Sequence, residues 1–247
     1  MSATIRVGSG AARRSFELWF VKLKRPAQRS YLLAEREKSS RAGQNSHPMK
    51  GWNDLGGDWH GLMSPAQAQR YQAIAEAIER YCPAGSVLDV GCGEAVPRAY
   101  LPHSVEYTGI EPSALAVASA RAKSKRGHII HERCEDFELR EQGWDWVVFN
   151  EVLYYLADPI GSITRYAQSV RRGGIVITSI FQKPESRSVK ARLLHLLDNR
   201  RPFSNVHCTK LVCDFMSRHS WAIERNDLVP TLDGQQHWRV TVARPRA

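Results

Sequence analysis

An α/β fold built on a mostly parallel, doubly wound sheet is what this sequence predicts, and three observations predict it. Short β-rich runs alternate with helical patterns from residue 64 onward, the alternation that builds right-handed βαβ units. The first of those runs, "VLDVGCGEA" (residues 87–95), ends in an acid and two glycines two positions apart, the place where such sheets bind ligands. With 247 residues, 43% hydrophobic and 24% charged, the chain can bury one sizeable core.

The elements follow in order. "SPAQAQRYQAIAEAIERYCPAG" has Ser64 as N-cap, Pro65 at the first helical position and Gln67 completing a capping box. Tyr71, Ile74, Ile78 and Tyr81 form one helical stripe, and Pro83 and Gly85 end it. Five strands are then predicted at "SVLDV", "VEYTGI", "HII", "WDWVVFN" and "GIVITSIF". Helices are predicted over residues 113–125 and 159–171, the second opened by Asp158 and Pro159 and closed by Gly173 and Gly174. A further helix, Thr209 to His219, precedes "WAIERNDLV" and "QHWRVTVAR", two final strands joined by Asp233 and Gly234.

Residues 1–50 read as a basic N-terminal extension, helical or partly disordered, and 51–247 as the catalytic-size domain. The extension holds eleven bases against three acids, eight of the ten net positive charges, so the high pI says little about the body of the domain. No apolar run approaches the roughly 18 residues that span a bilayer, and the five cysteines are scattered, with none at zinc-ribbon or redox spacing. These features predict a cytoplasmic protein. "RRSFELWFVKLKR" (13–25) sets Phe16, Trp19, Phe20 and Leu23 at helical spacing among bases. That pattern suits peripheral contact with an anionic membrane, RNA, or a helix packed on the domain.

Gly91 and Gly93 follow a buried strand, where the backbone must turn sharply and let a ligand approach without a Cβ in the way. A dinucleotide site needs a third glycine, and Val96 occupies that place. Glu94 would repel a pyrophosphate but suits a cationic ligand. Glu111, at the end of the second strand, is placed to accept both ribose hydroxyls. The predicted ligand is a nucleoside without phosphates.

In order and spacing, "VLDVGCGEA", "YTGIEPS", "ERCEDF", "WDWVVFNEVLYYLADP" and "VRRGGIVITS" resemble the successive motifs of class I S-adenosyl-L-methionine-dependent methyltransferases, over residues from about 64 to 243. The resemblance implies a seven-stranded sheet with helices on both faces and a reversed last hairpin. It also implies roles. Asp89, Gly91, Cys92 and Gly93 would shape the pocket for the methionine part of the cofactor, and Glu111, backed by Pro112, would take the ribose. Cys134 and Glu135 would sit at the adenine; Asn150, Glu151 and Val152 would lie beside the sulfonium. Arg70 and Tyr71 are candidates for the cofactor carboxylate. Trp52 and Trp59 could close a lid or fill the core.

The candidate catalytic residues are Tyr154 and Tyr155, one over the methyl group and the other in the core, and His207, read in a loop before a helix. No metal site is expected. The "NEVLYY" segment lacks the Asn/Asp-Pro-Pro-aromatic motif of DNA amine methylation, and no Pro-Cys motif is present. It resembles instead the enzymes of small molecules, lipids and glycans, so the expected acceptor is of that kind, with RNA as the alternative and DNA excluded. A non-catalytic, cofactor-binding role is the reading from another class.

Overall fold

The computed structural model describes residues 67–81, 83–123, 125–140, 143–182, 205–218, 221–232, 234 and 236–246, with the side chains of 205–207 excepted. The extension 1–50, Trp52, Trp59, the Ser64–Pro65 cap and Asp233 therefore lie outside the described residues.

Chain order is α1 (Ala68–Tyr81), β1 (Ser86–Val90), a 3-10 turn (Val96–Ala99), β2 (Glu106–Glu111), α2 (Ala114–Lys123), β3 (His128–His131), β4 (Trp144–Asn150), a second 3-10 turn (Leu153–Tyr155), α3 (Pro159–Ala167), β5 (Val170–Gln182), α4 (Asn205–Arg218), β6 (Trp221–Pro230) and β7 (His237–Pro245). The seven strands form one sheet in the order β3-β2-β1-β4-β5-β7-β6. Strands β1 to β5 pair in parallel, and β7 runs antiparallel between β5 and β6. This is the doubly wound sheet with a reversed last hairpin.

Two boundaries differ from expectation. Helix α3 stops at Ala167, and Gly173 and Gly174 lie inside β5, because Val170 already pairs with Trp144 before a bulge in the β4–β5 ladder. At Gly174 a Cβ would meet the Asp145 carbonyl at 2.6 Å, so glycine is demanded by strand packing rather than by a helix end. Helix α4 begins at Asn205, earlier than Thr209, which puts His207 in its first turn and not in a loop. The α3 start is as expected: Asp158 accepts from the Gly161 N–H at 2.8 Å, with Pro159 next.

Side-chain parity decides what faces what. Val87, Tyr107, Trp146, Val148, Ile175 and Ile177 pack with Ile74 and Ile78 of α1 in one core layer. Leu88, Val90, Ile110, Val147, Phe149 and Val176 pack with Ile163 and Tyr166 of α3 and Val212 and Met216 of α4 in the other. By the same period of two, Asp89, Glu111, Asn150 and Ser179 belong to the α1 layer. Four polar side chains at four strand ends are thereby brought to the side where α1 carries Arg70 and Tyr71.

Candidate active site at the carboxyl ends of the strands

The turn after β1 is held by β2. The N–H groups of Gly91 and Cys92 both donate to the Ile110 carbonyl, at 2.9 and 3.0 Å. Gly91 has φ of 68°, and a Cβ there would meet Cγ2 of Val152 at 2.5 Å, so both backbone conformation and close approach require glycine. Gly91→Ala is expected to destabilise the fold by about 1–3 kcal/mol and to displace Val152; thermal melting and calorimetry with S-adenosylhomocysteine check both effects. Ala95 continues the turn in the left-handed region, at φ 55°, and Val96 opens the 3-10 turn where a dinucleotide fold would place its third glycine.

Glu111 is 6% exposed and spans the crevice. Its carboxylate accepts from the Gly93 N–H and the Ser113 N–H, each at 2.9 Å. Burial raises its pKa against those two hydrogen bonds and the neighbouring His131. His131, paired with Glu111 across β2–β3, bonds the Pro112 carbonyl at 3.0 Å, which ties the segment after β2 to β3.

Asp89 is 1% exposed. The Tyr107 hydroxyl donates to its Oδ2 at 2.6 Å, while Oδ1 has no hydrogen-bond partner among the described residues. Burial pushes the carboxyl up to about 7, with Tyr107 and Arg70 pulling it down and Glu111 pushing it further up. An acid held at that point takes on charge readily when a cation arrives.

Beyond β4 the chain enters the left-handed region at Glu151, φ 63°, a conformation costly for a non-glycine residue. Its N–H donates to the Ser179 carbonyl at 2.9 Å, and its side chain is directed among buried groups. The Tyr154 hydroxyl donates to Glu151 Oε2 at 2.9 Å. Arg70 Nη1 lies 3.7 Å from the same oxygen, and Arg70 Nη2 donates to Gln67 at 2.8 Å. The guanidinium stacks on Tyr71 at 4.6 Å and on Trp238 at 5.2 Å. Asn150 Oδ1, Glu151 Oε1, Ser179 Oγ, Arg70 Nε and Trp238 Nε1 have no hydrogen-bond partner among the described residues. So many orphaned polar atoms in one place call for a polar ligand.

Of the residues expected at the site, Asp89, Gly91, Gly93, Glu111, Arg70, Tyr71, Asn150, Glu151 and Val152 converge on this crevice, with the Cys92 backbone in its turn. The Cys92 side chain instead packs toward Gly109, where a Cβ would meet its Sγ at 2.5 Å, and burial raises its thiol pKa well up. Cys134 is buried and pushed up to about 12, first by burial. Its carbonyl is held by the Tyr166 hydroxyl at 2.8 Å and Arg165 Nη1 at 2.7 Å, so the loop after β3 is pinned by α3. Glu135 is exposed and pairs with Arg133 at 3.4 Å.

The two tyrosines divide. Tyr154 packs against the second core layer and keeps its proton, because burial and then Glu151 raise its pKa strongly; Tyr155 is 44% exposed, with the rings 4.4 Å apart. The His207 side chain lies outside the described residues. Glu94 accepts from Ser119 at 2.6 Å and pairs with Lys123, so it clamps α2 to the turn. Tyr107, Ser179 and Trp238 enter the site without a sequence signal. Each sits in an ordinary alternating strand, and only the sheet order brings them beside Asp89, Asn150 and Arg70.

A groove of about 1150 Å³ opens elsewhere, lined by Ser86, Glu106, His128 and Trp144. It lies at the amino ends of the strands, opposite to where α/β sheets bind ligands, and none of Asp89, Glu111 and Glu151 lines it.

The geometry has counterparts. The profile of a family described as a methyltransferase domain matches residues 88–178. An uncharacterized methyltransferase of Mycobacterium tuberculosis is 29% identical over 123 residues, 48% of this chain and 61% of the relative; the chain thus spans under two thirds of that relative's length. Among solved structures, a methyltransferase from Geobacter sulfurreducens in complex with S-adenosyl-L-homocysteine superposes with a TM-score of 0.55 at 16% identity, over 74% of this chain and 92% of the other. The 1,6-didemethyltoxoflavin-N1-methyltransferase of Burkholderia thailandensis superposes with a TM-score of 0.56 at 16% identity, over 83% and 93%. At such identity the superpositions establish the fold. With β1 to β5, the glycine turn and Glu111 inside or adjoining the matched span, residues 88–178 carry the match to a methyltransferase domain, on a fold shared with solved S-adenosyl-L-methionine-dependent methyltransferases.

Proposed function

We propose that this chain transfers a methyl group from S-adenosyl-L-methionine to oxygen or nitrogen of a small-molecule, lipid or glycan-like acceptor, the work being carried by a domain spanning residues 51–247. One observation carries the reading: three carboxylates, Asp89, Glu111 and Glu151, stand at the ends of β1, β2 and β4, with Asp89 and Glu111 pressing on one another and the buried guanidinium of Arg70 acting on Asp89 and Glu151. Such a site is short of positive charge and fits a ligand bearing an ammonium and a sulfonium.

The residues fit the cofactor. Asp89 Oδ1, unpaired and buried, with the Gly91–Gly93 turn, would hold the amino group. Arg70 and Tyr71 would take the carboxylate, and Glu111, which has lone pairs beyond its two backbone bonds, would accept the ribose hydroxyls with Pro112 behind it. The Cys134–Glu135 loop would border the adenine, and Asn150, Glu151 and Val152 the sulfonium side. Bound there, the cofactor supplies a methyl group already activated by positive sulfur. The protein orients the acceptor and excludes water.

Calorimetric titration with S-adenosylmethionine, S-adenosylhomocysteine and NAD tests the cofactor. Micromolar binding of the first two and none of NAD is the expected result; preference for NAD overturns the reading. Turnover is then sought with methyl-labelled donor on a panel of phenols, alcohols, amines and carboxylates, with RNA as a separate arm. Residues 13–25 are proposed as a peripheral membrane contact, and cosedimentation of the full chain with phosphatidylserine vesicles at low and high salt checks it.

A further inference from the structure

Resting on that reading, we infer that Glu151 is the proton acceptor of the reaction, with Tyr154 and Arg70 as its positioning residues, and that the acceptor is a neutral O–H or an ammonium rather than an anion. Asn150 ends β4, and the left-handed φ at Glu151 (63°) turns the chain so that Val152, the next residue, touches the Gly91 position of the cofactor turn. Glu151 is thus one residue from the contact with the turn after β1. Its Oε2 is held by the Tyr154 hydroxyl at 2.9 Å and faces Arg70 at 3.7 Å, while Oε1 has no hydrogen-bond partner among the described residues. One oxygen is fixed; the other is buried near the Phe181 N–H and the Trp238 indole, makes no hydrogen bond of good geometry, and is the one left to take a proton.

A structural ion pair would look different. Arg70 approaches only at 3.7 Å, its Nε is unpaired, and its best hydrogen bond goes to Gln67. A carboxylate serving stability alone would not be held in strained backbone with one oxygen orphaned. The groups facing it from each neighbouring element are Arg70 and Tyr71 on α1, Tyr154 on its own 3-10 turn, the Phe181 N–H on β5, Cys208 on α4 and the Trp238 indole on β7. Of these, Arg70 alone carries a fixed charge. Burial, outweighing Arg70 and Tyr154, pushes the Glu151 carboxyl up to about 7.

The acceptor's oxygen or nitrogen forms its bond to the methyl carbon as the carbon–sulfur bond breaks, and that bond's electron pair remains on sulfur. The proton of a hydroxyl acceptor passes to Oε1 of Glu151; an ammonium acceptor gives up its proton there before attack. Glu151 loses its own proton more readily beside a positive charge, so the carboxylate is ionised when the methyl donor is present and reverts toward the protonated form beside the neutral thioether product. An anionic acceptor would meet Glu151 and Asp89 as like charges.

The test is a carboxyl-carbon NMR titration of the full chain labelled with [13C]glutamate, from about pH 5 to 9, with the Glu151 and Glu111 resonances assigned by their loss in Glu151→Gln and Glu111→Gln. It is run free, with S-adenosylhomocysteine and with S-adenosylmethionine. The expected result is a Glu151 midpoint lowered by at least about one unit by the sulfonium ligand and by less than half as much by the thioether. If Glu111 responds to both nucleosides while Glu151 titrates identically with each, the inference is overturned and the cofactor reading stands. If neither resonance responds, the cofactor reading itself has failed, and this inference with it. On acceptors found to turn over, Glu151→Gln is expected to keep S-adenosylhomocysteine affinity within about threefold and to lose about 100-fold or more in kcat, with its activity moved to higher pH; an unchanged kcat, or carboxylates as the best acceptors, overturns the inference.

Discussion

Glu111→Ala is expected to lose S-adenosylmethionine and S-adenosylhomocysteine binding by about 100-fold or more, and to lower the stability of the free protein by about 2–6 kcal/mol. Both effects follow from one geometry. The carboxylate accepts from Gly93 N–H in the turn after β1 and from Ser113 N–H beyond β2, so it joins the two segments that form the crevice. Removing it leaves two buried donors unpaired, each costing about 1–3 kcal/mol, and removes the acceptor for the ribose hydroxyls. Glu111→Gln separates the effects, because one amide oxygen can replace one of the two backbone bonds. The amide should recover about half the lost stability while affinity stays low. Thermal melts with calorimetry on both variants check this, and equal, full binding by Glu111→Ala would remove Glu111 from the site.

Asp89→Asn is expected to make the free protein more stable and the cofactor weaker. The Asp89 carboxyl stands at about 7 against an ordinary 3.8, so between those values the folded state holds a proton that the unfolded chain has released. Stability contributed by this group is complete below about pH 4 and falls as pH rises through 7. Glu151, also at about 7, adds to the same slope. Asparagine keeps the Tyr107 hydrogen bond without the charge, and at pH 8 it should gain about 2 kcal/mol. The cost falls on the ligand's amino group, where losing a charge-assisted hydrogen bond weakens binding by about 10- to 100-fold. In the wild type, S-adenosylmethionine affinity should rise from pH 6 to 8 as both carboxyls release protons to admit a cation. Melting and calorimetry across that range, in both forms, give the answer; a variant less stable than wild type at pH 8 would contradict it.

These positions also separate what was legible in the chain from what was not. "VLDVGCGEA" and "YTGIEPS" located Asp89, the glycine turn and Glu111, because a turn at positive φ and a carboxylate at a strand end leave local marks. Strand alternation is likewise local, and the β-rich runs stand where they were expected. The end of α3 was misjudged because Gly173 and Gly174 mark a strand bulge, and a bulge depends on the partner strand. The partners of Glu94 left no local mark, because Lys123 and Ser119 arrive from α2. The pairing of Glu151 with Tyr154 lies within one short motif, yet its meeting with Arg70, Trp238 and Cys208 draws on three other elements.

By itself the sequence determined the fold class and the placing of Asp89, the glycine turn and Glu111 at neighbouring strand ends, since each rests on residue order, period and short-range turn chemistry. Only the tertiary structure decided the charge state and partners of the site. Burial and sheet order set those, and both are properties of residues that lie far apart along the chain.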